Sequence, residues 1–211
     1  MGKDKIIGGM DGQTSVFLIK KNSKLMLLKK FEKFRYKIKR TYVERTIKAN
    51  NHSLDEVIDY IVNVHGFVEI EGEEVYKEYE EMRAAFVLQY ASELLGEYAI
   101  MPQLKRKSKE DIQEHINEFQ EKQRRAMEIP IEKFDIDFHK FQIPLNDIND
   151  NMYIIIEKRF AYIGGGVSGN KKEMRRFHKI FKDVYRYYGV SKEDIENKSK
   201  RYEQLVGAMI H

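Results

Sequence analysis

The chain contains no cysteine and no tryptophan, and it has only three prolines. Without cysteine there is no disulfide framework and no thiolate for catalysis or for a zinc site, which fits a reducing compartment. We therefore expect a cytoplasmic protein. Long apolar runs are absent as well: residues 84–92 (AAFVLQYAS), one of the longer uncharged stretches, are about half as long as a membrane span requires. We expect no membrane-spanning segment.

Length and composition predict a folded, soluble chain. The 211 residues and 25.2 kDa suit a single domain over residues 1–211, large enough to bury a core. Within it, a helical subregion at 20–126 and a sheet-plus-helix subregion at 127–211 are possible. A charged fraction of 34% and a mean hydropathy of −0.62 indicate a well-hydrated surface.

The net charge of +4 is unevenly distributed. Residues 20–48 hold 12 Lys or Arg against two Glu, whereas residues 55–81 hold 10 Asp or Glu against one Lys. One interpretation is that a basic helix folds back on an acidic one, so that the charges neutralise each other. The other is that the basic segment meets an anionic partner such as nucleic acid or a membrane surface.

Apolar periodicity predicts helices through most of the first half. Residues 23–48 form a basic amphipathic helix by this criterion, and residues 75–94 and 108–119 repeat the spacing. Between them, Ser53 and Glu56 form a capping box that starts a helix ending at Gly66. Residues 67–70 alternate and predict a short strand. The first half is therefore expected to be mainly helical.

The pattern changes near residue 127. Residues 129–143 nearly alternate between apolar and charged side chains, and residues 152–163 (MYIIIEKRFAYI) are rich in β-branched and aromatic residues. These features predict a small antiparallel sheet at about 127–163, with a turn at 146–151. Caps at Asn170 and Ser191 then predict a C-terminal helical pair. The expected fold class is α+β.

Residues 164–169 (GGGVSG) are predicted to be a glycine-rich loop between the sheet and a helix. Free amides, the positive end of the helix dipole and lysines would meet there, which is the chemistry of an anion site. The alternative is a flexible connection with an ordinary cap. The Walker spacing is absent, and the βαβ context of a dinucleotide loop is missing. The candidate ligand-binding residues are Gly165, Gly166, Ser168, Gly169 and Lys171.

Residues 6–18 (IIGGMDGQTSVFL) form a second glycine-rich segment. Glycines permit close backbone approach to a ligand, one carboxylate and two hydroxyls supply polar contacts, and the pair Asp11-Gly12 is also a common turn that needs no ligand. The candidate ligand-binding residues here are Gly8, Gly9, Asp11, Gly12, Thr14 and Ser15.

This segment resembles the GGxDGPT-type phrase of the beta subunit of sodium ion-translocating decarboxylases, the biotin-dependent group acting on oxaloacetate, methylmalonyl-CoA and glutaconyl-CoA. Asp11 matches the acid, which in that family takes part in sodium and proton handling, whereas Met10 and Gln13 depart from the pattern. The resemblance covers about 13 of 211 residues. A sodium pump needs several apolar spans. The resemblance therefore implies a short soluble bacterial protein that carries the phrase, and no transport.

No other motif in the sequence indicates catalysis. The six histidines show no metal-ligand spacing, and no nucleophile elbow is present. The catalytic residues are unknown, and we expect no metal and no cofactor. The first hypothesis is a binding or interaction protein in which both glycine-rich segments form a small anion or carboxylate site, with Asp11, Thr14, Ser168 and Lys171 as polar contacts. The alternative is a nucleic-acid or protein-partner module that uses the basic helix at 20–48.

Overall fold

The computed structural model describes residues 23–100, 109–145 and 151–210. The segment at 6–18, the first residue of the helix predicted at 108–119 and most of the predicted turn at 146–151 lie outside these ranges. The fold is α+β, as predicted. Where the chain is described, no helix is long and apolar enough to cross a bilayer.

The described residues form seven α-helices, one 3-10 helix and six strands. The helices are α1 (Ser23–Thr46), α2 (Leu54–His65), α3 (Glu73–Tyr90), a 3-10 helix (Ser92–Ala99), α4 (Lys109–Met127), α5 (Lys171–Tyr188), α6 (Lys192–Asn197) and α7 (Lys200–Ile210). The strands are β1 (Asn50–Asn51), β2 (Val68–Glu69), β3 (Phe138–Pro144), β4 (Asn151–Glu157), β5 (Tyr162–Ser168) and β6 (Gly189–Val190).

The helix α2 shows how local sequence sets its boundaries. The Ser53 hydroxyl accepts the Glu56 amide at 3.2 Å, and the Glu56 carboxylate accepts the Ser53 amide at 2.7 Å. These bonds use two of the amides that a helix start leaves without partners. At the other end Gly66 adopts the left-handed conformation, with φ of 73°. The predicted capping box and terminating glycine are both confirmed.

Several predicted elements differ from the structure. The helix predicted at 75–94 ends at Tyr90, and Ser92–Ala99 form a 3-10 helix. Residues 129–136 alternate in polarity but form turns, because the amides of Lys133 and Phe134 bond the Pro130 carbonyl at 3.0 and 3.3 Å instead of a neighbouring strand. The helix predicted after Ser191 is interrupted at Lys198, which has a φ of 46°. As a result α6 and α7 are separate helices.

The strands form two sheets. The larger has the order β2-β3-β4-β5, and β2 pairs antiparallel with β3 through Val68 opposite Gln142 and Glu69 opposite Phe141. The smaller sheet pairs β1 with β6 antiparallel.

The chain divides into two compact units. Unit 1 comprises residues 1–69, 141–156 and 161–211, and unit 2 comprises residues 70–140 and 157–160. In unit 1, α2, α5 and α7 pack with the sheet around one apolar core, whose fully buried members include Val57, Ile61, Ile154, Ile156, Val184 and Val206.

Unit 2 contains α3, the 3-10 helix and α4. Its core includes Phe86, Val87 and Phe134. Two buried charges bond the backbone: Arg83 donates through its terminal nitrogens to the carbonyls of Met127 and Ile129, and the Glu157 carboxylate accepts three amides. Buried ions require such partners. These two residues therefore fix the loops of unit 2.

Candidate functional site

The glycines at 164–166 lie within strand β5, so the prediction of a loop at these positions is wrong. Their lack of side chains makes room for aromatic rings. A Cβ on Gly166 would lie 2.8 Å from the Tyr153 hydroxyl, and one on Gly164 would overlap the Tyr162 ring. On Gly165 it would lie 2.5 Å from the Tyr153 carbonyl oxygen. The glycines therefore allow close packing on β4 and on α5.

The remaining predicted residues of this segment surround the start of α5. Ser168 ends β5, Gly169 follows it, and Lys171 is exposed in the first turn of the helix. The Asn170 side chain accepts the amides of Lys172 and Glu173 at 2.8 and 3.2 Å. These are amides that a bound anion would otherwise use. Because the segment at 6–18 is outside the described residues, the meeting of the two glycine-rich segments stays a prediction.

The outward side of α5 carries a row of cations. The row recurs every three or four positions, so it follows one side of the helix for about 22 Å. Of the seven cations on α5, only Arg176 has an ion pair among the described residues, at 3.7 Å to Glu173. The opposite side of the helix is buried in the core. The row consists of Lys171, Arg175, Lys179, Lys182 and Arg186.

A groove of about 580 Å³ lies between α1, α5 and α7. Its floor is apolar and includes Val43, Ile47 and Leu205. None of the described residues that line it is acidic. Its cations are Lys39, Lys48, Lys182 and Arg186. Cations gathered along one groove attract anions more strongly than isolated surface lysines do.

A hollow of about 460 Å³ extends the positive surface to α2, because Lys182 and Arg186 line both this hollow and the groove. The carboxylate in the hollow, Asp183, accepts the Tyr60 hydroxyl at 2.6 Å and lies 3.1 Å from His65 Nε2. The hydrogen bond to Asp183 raises the pKa of Tyr60 to about 12. Asp183 is thus already engaged by α2.

Stacked aromatic rings hold α2 against α5 beside this hollow. Tyr187 stacks on His52 and on Tyr60, with ring centroids 4.0 Å apart in each pair. The Tyr60 ring also meets His65 edge-on at 5.3 Å. Aromatic contacts of this geometry stabilise packing beyond the area they bury. The side chains that face the hollow are therefore carried by two helices that pack firmly on each other.

We call the α5 row together with Lys39 and Lys48 the cationic band. It lies in a strongly positive part of the chain: unit 1 has 25 Lys or Arg against 16 Asp or Glu, a formal charge of +9. Unit 2 has 13 against 18, a formal charge of −5. Of the α5 row, only Lys171 is among the candidate residues predicted from the sequence. The spacing of its cations was visible in the sequence and would have identified the row.

The basic helix predicted at 20–48 is confirmed over residues 23–46 as α1, which packs on α7. Arg40 bonds Glu44 at 2.8 Å and Glu203 at 2.6 Å. The ion pairs described for α1 are therefore within the helix and with α7. The other α1 cations from Lys29 to Lys39 are exposed, which leaves them accessible to a partner.

No protein-family model, no curated protein and no solved structure matches this chain. The sodium-decarboxylase resemblance of residues 6–18 thus stays an expectation, and the functional argument rests on the geometry of unit 1.

Proposed function

We propose that this protein binds phosphate-bearing polyanions, nucleic acid first among them, through the cationic band of unit 1. The observation that carries the proposal is the groove between α1, α5 and α7, in which four cations surround an apolar floor and no acid is found among the described lining residues. Lysine and arginine side chains that neutralise phosphates release condensed counterions, and this release drives binding.

The dimensions of the band suit an extended ligand. The α5 row places five cations along about 22 Å. Lys39 and Lys48 of the groove add two more beside the C-terminal end of α5. If each of the seven cations contacts one phosphate, the logarithm of the affinity should fall against the logarithm of salt concentration with a slope of about −6 for duplex DNA. The expected slope is about −5 for a single strand.

Anisotropy of a fluorescein-labelled single strand, RNA and duplex, titrated at several salt concentrations, tests the proposal. The variant Lys179→Gln/Lys182→Gln/Arg186→Gln should reduce the magnitude of the slope by about 2 to 3 and weaken low-salt binding at least ~10-fold. These three side chains point away from the core, so the fold should persist, as circular dichroism would verify.

The matched control removes three exposed cations elsewhere: Lys77→Gln/Lys133→Gln/Lys192→Gln. It loses the same charge and should retain the wild-type slope. Equal losses in the two variants would mean that net charge alone drives binding. That result, or the absence of binding at low salt, would refute a role for the cationic band.

The small anion site predicted at the start of α5 becomes, in this proposal, the N-terminal end of the band, because Lys171 belongs to both. Since Asn170 occupies two of the amides there, the Lys171 ammonium is the main contact for a single phosphate. Titration with inorganic phosphate should shift the amide resonances of residues 168–172, and Lys171→Gln should abolish the shift. Contributions from Asp11 and Thr14 stay predictions.

A further inference from the structure

The helix α1 presents a stripe of large apolar side chains to solvent. Leu28, Phe31 and Phe34 are each 59% exposed, Ile38 is 54% exposed and Tyr42 is 70% exposed. Their spacing of three or four residues places them on one side of the helix over about 21 Å. A contiguous exposed apolar surface of this kind usually marks an interaction site.

The stripe is distinct from the side of α1 that stabilises the fold. Val43 and Ile47 pack against the core of unit 1, and Arg40 bonds Glu203 of α7. On a helical projection these residues face away from Phe31 and Phe34. The helix therefore carries one apolar side for the core and a second for a partner.

Cations run along both edges of the stripe. Lys30 and Lys37 flank one edge, and Arg35 and Lys39 flank the other; all four are exposed. Basic side chains around Leu, Phe and Ile are typical of helices that lie in the interface of an anionic bilayer, where the apolar side enters the acyl boundary and the cations meet lipid phosphates. Nucleic acid would match the cations but would leave Leu28 and Ile38 without apolar partners.

We propose that α1 docks unit 1 on an anionic lipid bilayer, with Leu28, Phe31, Phe34 and Ile38 entering the interface. This inference goes beyond the proposed function, because its apolar side chains and its partner are different and only Lys39 is shared with the cationic band. It requires both features at once: the apolar stripe supplies burial, and the flanking cations supply the preference for anionic lipid.

Because the chain has no tryptophan, Phe34→Trp creates a single fluorescent reporter on the stripe. With phosphatidylcholine vesicles that contain phosphatidylglycerol, its emission should shift to the blue and should be quenched by lipids brominated on their acyl chains. With pure phosphatidylcholine neither change should occur. The matched control is Val64→Trp on α2, since Val64 is also 59% exposed; its emission should not change.

Charge introduced on the stripe should prevent docking. Phe31→Asp/Phe34→Asp is expected to weaken vesicle partitioning ~100-fold or more, because two large apolar burials are lost. Both side chains are exposed, so circular dichroism should show an intact fold. The variant Lys179→Gln/Lys182→Gln/Arg186→Gln should keep the blue shift at saturating vesicle concentration, which separates failure of this proposal from failure of the cationic band.

Four outcomes would overturn the proposal. One is an unchanged Phe34→Trp emission with anionic vesicles. A second is a blue shift without vesicles that grows with protein concentration, which would assign the stripe to a second copy of the chain. A third is a blue shift without vesicles at every concentration, which would assign it to another segment of the same chain. The fourth is an equal response to nucleic acid, which would indicate base stacking.

Discussion

Replacing Gly165 by alanine tests whether the glycines of β5 serve packing. The added Cβ would lie 2.5 Å from the Tyr153 carbonyl oxygen and 3.2 Å from Phe177 Cζ. The carbonyl belongs to the backbone of the neighbouring strand, and the Phe177 side chain is buried at 3% exposure. Neither can move aside alone, so β5 or α5 must shift. Overpacking of this kind costs about 1–3 kcal/mol of unfolding free energy.

The matched control is Gly207→Ala in α7, where no atom lies within 4 Å of the added Cβ. Removing a glycine from a helix interior should stabilise the protein by about 0.5–1 kcal/mol. In thermal unfolding followed by circular dichroism, each kcal/mol corresponds to a shift in Tm of about 2–4 °C for a chain of this length. The two alanines should therefore move Tm in opposite directions.

A Gly165→Ala variant as stable as the wild type would refute the packing argument. If that variant also lost polyanion binding while keeping its Tm, the glycine would have to serve a ligand. We expect the reverse: a lower Tm, with the salt dependence of binding unchanged in the folded fraction.

Three further predictions concern single polar groups. Glu157→Gln should cost about 1–3 kcal/mol in urea unfolding, because the side-chain nitrogen of glutamine cannot accept a hydrogen bond and at least one of the three backbone amides that now bond the carboxylate loses its partner; unchanged stability would contradict this role. Tyr60 keeps its proton to about pH 12 when folded and to about pH 10 when unfolded, so its contribution to stability is complete below pH 10 and is lost as pH rises towards 12. Tyrosinate absorbance should show Tyr60 titrating nearer pH 10 in Asp183→Asn, and an unmoved titration would exclude the hydrogen bond as its cause. Ser53→Ala should lose about 1 kcal/mol, whereas Ser53→Thr should lose less, because threonine still caps.

The parts of the fold that could be predicted depend on residues close together in sequence. The caps at Ser53, Asn170 and Ser191 each use amides two or three positions away. The apolar spacing of α1, α2 and α5 likewise reports one helix at a time. These elements are present as predicted.

The glycines of β5 were misplaced because the groups that explain them are distant in sequence. Phe177 and Tyr153, which pack against Gly165, lie 12 positions after and before it. A short-range pattern shows only three glycines, which usually indicate a loop. The break at Lys198 was also hidden, since left-handed backbone is uncommon outside glycine; there Ser199 Oγ donates to Asp194 at 2.5 Å.

The candidate site, too, has features that a local sequence pattern predicts and features that depend on residues far apart in the sequence. The cation row of α5 is a local pattern and could have been read from the sequence. The groove could not, because it requires α1 and α5 both to pack on α7, and Lys39 and Lys182 are far apart along the chain. The exposure of the apolar stripe on α1 was also beyond prediction, since the same spacing fits a helix buried on that side.

The length of chain between the paired residues of β2 and β3 has a kinetic consequence. Residues 70–140 connect Glu69 of β2 to Phe141, its partner in β3, and the Ile70 amide bonds the Lys140 carbonyl at 2.9 Å. While this segment is unfolded, pairing β2 with β3 must close a loop of 71 residues, and the entropy lost grows with loop length. Once it has folded, its two ends are held together, and the pairing becomes nearly as local as a hairpin. The folding of residues 70–140 should thus set the rate at which β2 pairs with β3.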